Sequence, residues 1–211
     1  MGRAMQIRTA GSSALLVCLD DPAQVTGLYR ALLRDPPEGF VDAVPAAETV
    51  LVLYDPSRTD RLSLSERIRA AADQPPTAIG GRQGPRITIP VRYDGPDLEE
   101  IARITGLSVA EVVHRHTAGE YVVAFCGFAP GFAYLTGLDP ALRLPRRAVP
   151  RTRVPAGSVA MSDRFTSVYP SASPGGWHLL GRTTMAMWDI DHQPPGLLTP
   201  GTRVRFEQVA A

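Results

Sequence analysis

Residues 120–135 read EYVVAFCGFAPGFAYL, and this stretch decides what kind of fold the second half of the chain can adopt. β-branched and aromatic residues run from Glu120 to Phe128, Pro130-Gly131 breaks the run, and Phe132, Tyr134 and Leu135 resume it. A short apolar run closed by proline and glycine is a strand ending in a turn. The same pattern recurs downstream in SVAMS (158–162), HLLGRT (178–183), MAMWDI (185–190) and RVRFEQV (203–209), with no long helical stretch between them. Short strands at regular turn spacing predict an all-β barrel or sandwich from Glu120 to the end.

Working outward, RITIPVRY (86–93) alternates strictly, so Ile87, Ile89, Val91 and Tyr93 share one face of a strand. Two short helices follow, with Asp97 and Ser108 as N-caps, Glu100 and Glu111 three residues on, and Gly106 as the stop between them. Upstream, Asp73–Gly84 (DQPPTAIGGRQG) is dense in proline and glycine, which predicts a domain boundary between about residues 74 and 86.

The first 73 residues alternate strand and helix signals. Ser13–Leu19 is an apolar strand. Asp21-Pro22 then opens a helix carrying Val25, Leu28, Leu32 and Leu33. Gly39–Val44 and Thr49–Tyr54 are further strands, and Ser63 with Glu66 forms a capping box for a helix bearing Leu64, Ile68 and Ala71. The order βαββα, with one more strand to come, is ferredoxin-like. The expected fold class is therefore α+β, with a small ferredoxin-like α/β domain over 1–80 and a β-barrel domain over 81–211.

Composition narrows the chemistry. All 22 basic residues are arginine, so a Walker A phosphate loop, a Schiff-base enzyme and a biotinylated carrier, each of which needs lysine, are excluded for this chain by itself. Net charge is +1, which argues against nucleic acid as the main partner. The charge is uneven: nine arginines face five acids from Cys126 onward, the half where an anionic ligand is expected. No apolar run approaches the ~18 residues of a membrane span. The N-terminal apolar patch ends in Asp20-Asp21 without a cleavage site, so it reads as a strand and not a signal peptide, and a cytoplasmic protein is expected. Cys18 and Cys126 sit in apolar runs and read as buried, reduced thiols.

Candidate chemical groups are few. His114 and His116 end a helix, where positions i and i+2 diverge, so they do not make a metal pair. RLPRRAVPRTR (143–153) sets five arginines among two prolines. A solvated loop accounts for Arg143, Arg146 and Arg147. Arg151 and Arg182 each abut a glycine- or proline-rich stretch and are the better carboxylate or phosphate clamps. GFAPGFAYL (127–135) and SPGGW (173–177) are tight turns that present Phe128, Phe132, Tyr134 and Trp177.

These strings, with PRTRVPAGSV (150–159), Tyr169-Pro170, GRT (181–183), LTPGTRVRF (198–206) and, upstream, GSSALLV (11–17), resemble one family over nearly the whole chain. It is the family of KipI, of allophanate hydrolase subunit 1 and of the B subunits of 5-oxoprolinase. The resemblance implies that the C-terminal barrel is cyclophilin-like. It implies an ATP-dependent 5-oxoprolinase subunit, working with a larger paralogous subunit and a LamB/YcsF-type subunit to hydrolyse a small molecule, 5-oxo-L-proline, to L-glutamate. ATP, with Mg²⁺, is the implied co-substrate. The family's other labels imply a histidine-kinase inhibitor or another amidohydrolase as alternatives.

The motifs and their turns together predict one concave site. Arg182, Tyr169 and His116 are its catalytic candidates. Phe128, Pro130, Gly131, Phe132 and Tyr134 from the first turn, and Gly175, Gly176 and Trp177 from the second, would bind substrate, with Arg151, Ser158 and Thr166 beside them. Phe165-Thr166-Ser167 departs from the Gln-Thr-Gly usual in the family, which replaces a polar amide at this expected site by a phenyl ring.

Overall fold

The computed structural model describes residues 5–73 and 85–210. It forms two compact units, Met1–Arg82 and Gln83–Ala211. The expected boundary segment lies, beyond Asp73, outside the described residues.

The first unit contains β1 (Gln6–Thr9), β2 (Ala14–Cys18), α1 (Pro22–Arg34), β3 (Phe40–Pro45), β4 (Thr49–Tyr54) and α2 (Arg61–Ala72). Its sheet has the order β1-β2-β4-β3 and is antiparallel throughout. Alternation along β2 and β4 buries Leu15, Val17, Val50 and Val52 against Val25, Leu28 and Leu32 of α1 and Leu64 and Ile68 of α2. The fourth strand of the described sheet is β1, which precedes β2 and pairs beside it, and residues 74–84, which follow α2, lie outside the described residues. Asp21 caps α1 as its sequence requires, accepting from the Ala23 N–H at 2.8 Å. The cap of α2 is Asp60 and not Ser63. The Asp60 carboxylate lies far enough upstream to take the Leu62 and Ser63 N–H groups at 2.8 and 3.0 Å, and the Ser63 hydroxyl donates to it at 2.6 Å.

The second unit begins with β5 (Arg86–Val91), α3 (Leu98–Thr105), α4 (Val109–Ala118), β6 (Tyr121–Cys126) and β7 (Ala133–Thr136). It continues through β8 (Arg151–Val154), β9 (Ser158–Ser162), β10 (Phe165–Val168), β11 (Ser173–Gly175), β12 (His178–Arg182) and β13 (Arg203–Gln208). Seven strands form one sheet, β12-β9-β10-β7-β6-β13-β5, and β8 pairs with β11 in a separate ribbon. The β13–β5 pair is parallel, and the other described pairs are antiparallel.

The seven-stranded sheet curls until its edges meet. Arg92, just past β5, and Arg182, at the end of β12, exchange backbone hydrogen bonds of 2.9 Å in both directions. The approach needs residues without side chains, because a Cβ on Gly181 would overlap the Arg92 carbonyl and one on Gly95 the Leu179 carbonyl. Inside this nearly closed barrel, Val91, Val123, Leu135, Val159, Met161 and Phe206 form the core, covered by Ile101 of α3 and Val112 of α4.

Of the expected elements, MAMWDI (185–190) is not a strand. Its period-two pattern is real, but its backbone bonds go locally: Met185 N–H to the Thr183 hydroxyl, Met187 C=O to Leu197 N–H, and Trp188 in an isolated bridge to Gly196. Gly106, at φ 72°, stops α3, and Ser108 caps α4.

Candidate functional site

The two glycine/proline turns come together. Phe132 makes edge contacts with Phe128, Tyr134, Tyr169 and Trp177 at centroid distances of 5.3, 5.1, 5.2 and 5.6 Å. Tyr134 also meets Trp177 at 5.6 Å and stacks on Phe125 at 4.3 Å. Gly131 and Gly176, each one residue from the Phe132–Trp177 contact, thus lie on the same side of the barrel. Alternation explains the location: Tyr134 points opposite to the core residues Ala133 and Leu135, so the rings collect outside the barrel wall.

Two backbone positions shape the first turn. Gly131 has φ 81°, in the left-handed region open to glycine. Phe128 has φ 74° and is 64% exposed, so a bulky aromatic is held outward in a conformation that costs about 1–3 kcal/mol. Pro130 is exposed between them.

Phe165 joins the same ring group, edge-on to Phe125 and Tyr134 at 5.6 Å each, with the Arg164 guanidinium over its face. The phenyl ring that replaces a polar amide is therefore packed as wall. Its neighbour Ser167 donates to the Ala133 carbonyl at 2.7 Å.

A cleft of about 380 Å³ opens beside Tyr169, lined also by Gly157, Pro170, Thr183, Met185 and Met187. The Tyr169 hydroxyl lies against Gly175, where any Cβ would strike it. Burial raises the Tyr169 phenol above its ordinary range, although the Arg146 and Arg151 charges and the Trp177 backbone N–H pull it back. Burial likewise raises Tyr134, against the Arg146 charge. Both phenols are protonated at neutral pH and can donate.

His116 lies elsewhere. It is fully buried on the core side of β10, bonded to Thr166, whereas Phe165, the next residue, faces the ring group. The Thr166 hydroxyl donates to the Ala160 carbonyl at 3.0 Å, so it accepts from His116 Nε2–H at 2.9 Å. Nδ1 then accepts from the Tyr93 hydroxyl at 2.7 Å, and the imidazole packs on Phe206 at 4.6 Å. Burial pushes its pKa down to about 3. With both nitrogens engaged and no path to the ring group, His116 is a neutral strut, not the nearby acid–base group expected. Thr166 belongs to the same interior chain. Ser158, also buried, contributes its carbonyl to the Tyr169 N–H at 2.9 Å.

The arginines redistribute. Arg151, expected as a ligand clamp, is turned inward to Asp97, with forked bonds of 2.9 and 2.7 Å. Asp97 makes no side-chain cap on α3. Its carboxylate, almost fully buried, instead gathers Arg151, Arg147 at 2.7 Å and the Leu179 N–H at 2.7 Å. Burial alone would raise its pKa, but the Arg151 and Leu179 hydrogen bonds and the two arginine charges hold it below the usual carboxylate range. Arg147 bonds Glu100 as well, at 2.6 Å, so it is not a solvated loop residue. Arg182 is exposed at the barrel seam, 2.9 Å from Asp94 and outside the ring group, next in chain to the cleft residue Thr183. Sequence missed the ion-pair role of Asp97, which a capping pattern masked, and the closeness of the Arg146 charge to the Tyr134 and Tyr169 phenols, which a run of five similar arginines hid.

Among the described residues no cluster of three or more His, Cys, Asp or Glu is placed to hold a metal ion. Cys126 is a half-buried thiol that donates to the Leu198 carbonyl at 3.3 Å, and burial raises its pKa. Cys18 is likewise a free, half-buried thiol.

Comparison with known proteins gives concordant findings. Residues 5–198 match the family model described as "Carboxyltransferase domain, subdomain C and D". A curated protein of Bacillus subtilis (strain 168), named as the B subunit of 5-oxoprolinase, is 36% identical, covering 97% of this chain and 93% of the relative. One of the same name from Escherichia coli O157:H7 is 38% identical, over 93% of this chain and 92% of the relative. The crystal structure of TTHA0988 superposes with a TM-score of 0.78 at 39% identity. It covers 98% of this chain, which spans only 41% of that longer one. A family model spanning most of the chain, and relatives above 30% identity along nearly all of it, place this protein in the carboxyltransferase subdomain C and D family, alongside the 5-oxoprolinase B subunits.

Proposed function

We propose that this chain is the B-type subunit of an ATP-dependent 5-oxoprolinase, which opens 5-oxo-L-proline to L-glutamate. The observation that carries this reading is the 36% identity, over 97% of the chain, to a protein named as such a 5-oxoprolinase component. In it, the first unit is a ferredoxin-like domain whose outer strand comes from the N-terminus, over about residues 1–80. The second is a cyclophilin-like barrel over about 81–211. The protein acts in the cytoplasm. Among the described residues no helix is long and apolar enough to cross a membrane.

The chemistry fits a shared site. A five-membered lactam has a resonance-stabilised carbonyl and a poor leaving group. Transfer of the ATP γ-phosphoryl to the lactam oxygen makes the carbon electrophilic and supplies a leaving group. Such a transfer requires positioning and positive charge more than covalent protein chemistry. Arginine and phenol donors suit that role, whereas His116, the histidine expected at the site, is neutral and enclosed. The partners are a larger paralogous subunit and a LamB/YcsF-type subunit. The length of TTHA0988, more than twice this chain, supports a neighbour that some relatives carry in the same polypeptide.

In this reading Tyr169 donates to substrate and Arg182 contributes charge at the cleft mouth. The test is co-purification with both partners, followed by 5-oxoproline-dependent ADP release. Arg182→Ala should leave assembly intact and slow turnover about 10- to 100-fold. An Arg182→Ala complex at full rate removes Arg182 from the site, and a wild-type complex without 5-oxoproline-dependent ADP release rejects the function.

A further inference from the structure

The five arginines of the 143–153 segment have different fates. Arg147 and Arg151 are paired with Asp97 and Glu100. Arg143 and Arg153 are exposed and have no carboxylate partner among the described residues. Arg146 is also without an ion pair among the described residues, but its backbone is fixed beside the ring group. The next residue donates its N–H to the Gly176 carbonyl at 2.8 Å, and a Cβ on Gly176 would lie 3.8 Å from the Arg146 Cβ. The same Gly175-Gly176 turn carries the Tyr169 hydroxyl against Gly175, and it leads into Trp177, whose ring is 5.6 Å from Tyr134. One turn therefore gathers Arg146, whose charge reaches both the Tyr134 and Tyr169 phenols, with those phenols and an indole. The guanidinium and both phenols can donate at neutral pH, and the carboxylate nearest in the fold, Asp97 behind Arg151, is already engaged by two arginines and the Leu179 N–H.

We infer that Arg146, with the Tyr134 and Tyr169 hydroxyls, is the receptor for the carboxylate of a small anionic substrate lying beside Trp177. This rests on the proposed function, in which the substrate is a lactam bearing one carboxylate. Charge decides the ligand class: one guanidinium with two neutral phenols balances a single carboxylate, whereas a triphosphate would leave several charges unpaired. The guanidinium fork matches a carboxylate bidentately, and the phenols can donate to its outer lone pairs.

The chain has two tryptophans, so Trp188→Phe leaves Trp177 as the sole indole reporter. The Trp188→Phe protein, alone and in the assembled complex, is titrated with 5-oxoproline, glutamate and 2-pyrrolidone, the lactam without a carboxylate. Carboxylate ligands should change the Trp177 emission. Arg146→Ala should weaken them about 10- to 100-fold, Arg146→Lys should restore part of the loss, and Arg143→Ala should change nothing. Any response to 2-pyrrolidone should be indifferent to Arg146.

Wild-type affinity in Arg146→Ala, an equal loss in Arg143→Ala, or no carboxylate response in either state overturns the inference. An active complex whose Arg146→Ala form keeps its 5-oxoproline KM sinks this inference and leaves the proposed function standing. Arg146-dependent carboxylate binding in a complex that never hydrolyses ATP with 5-oxoproline does the reverse.

Discussion

Asp97 and His116 show how a side chain's partners decide its role more than its type does. Asp97 was legible in sequence as a helix cap, because an acid with Glu three residues later at a helix start is a capping pattern. What sequence could not show is that two arginines about fifty residues downstream fold back onto it. Replacing Asp97 by Asn should cost about 3–5 kcal/mol in urea unfolding, the range for breaking a buried, hydrogen-bonded ion pair. The pH dependence has a definite sign. A carboxyl whose folded pKa is depressed stabilises above its unfolded value of about 3.9, and the contribution is lost as pH falls through the folded pKa. Wild type should therefore lose stability below about pH 4 faster than Asp97→Asn does. His116 acts over a higher window. Its folded pKa of about 3 lies below the ordinary value of 6.5, so the unfolded chain takes up a proton that the folded one refuses. At pH 5 this should cost wild type about 2 kcal/mol relative to pH 7.5. His116→Phe should lack that dependence, and at pH 7.5 it should be less stable by about 1–3 kcal/mol because the Tyr93 hydroxyl loses its acceptor. A His116→Phe protein that still loses stability over this window would place the titrating group elsewhere.

At the level of elements, most strands and all four helices were legible because alternation and turn residues are local signals. SVAMS matches β9 and Thr49–Tyr54 matches β4 to the residue. Errors arose where the decisive partner was distant or where two signals competed. MAMWDI carries strand periodicity but has no free sheet edge to join, because Arg92 already pairs with Arg182 at the seam. Ser63 looked like a cap because Glu66 follows it by three residues, but Asp60, ahead of it, takes the Leu62 and Ser63 N–H groups. The seam itself is testable. Gly181→Ala should destabilise by at least about 1–3 kcal/mol, since its methyl would meet the Arg92 carbonyl. Gly27→Ala, inside α1 with open space where the Cβ would lie, should stabilise by about 0.5–1 kcal/mol through helix propensity. Melting temperatures moving in opposite directions would bear this out, and a tolerated Gly181→Ala would mean the barrel edge is looser than the bridge implies.

For the molecule as a whole, the α+β class and the gathering of aromatics follow from patterns written in the chain, whereas the charge arrangement does not. Phe128, Phe132, Tyr134, Tyr169 and Trp177 meet because two turns of fixed geometry lie on the same outer wall of the barrel. Among the nine C-terminal arginines, Arg147 and Arg151 are held by Asp97 and Glu100 at the start of α3, Arg182 by Asp94 at the seam and Arg203 by Glu120, pairings that sequence alone does not show. The resulting surface offers donors and aromatic walls, in keeping with the proposal that another polypeptide completes the site. The most direct measurement is to titrate this chain into its two partner subunits while following 5-oxoproline-dependent release of ADP and glutamate. No release is predicted from the chain alone or from the partners without it, with a rise to saturation as the chain is added. Turnover by the isolated chain, or partners fully active in its absence, would contradict the account.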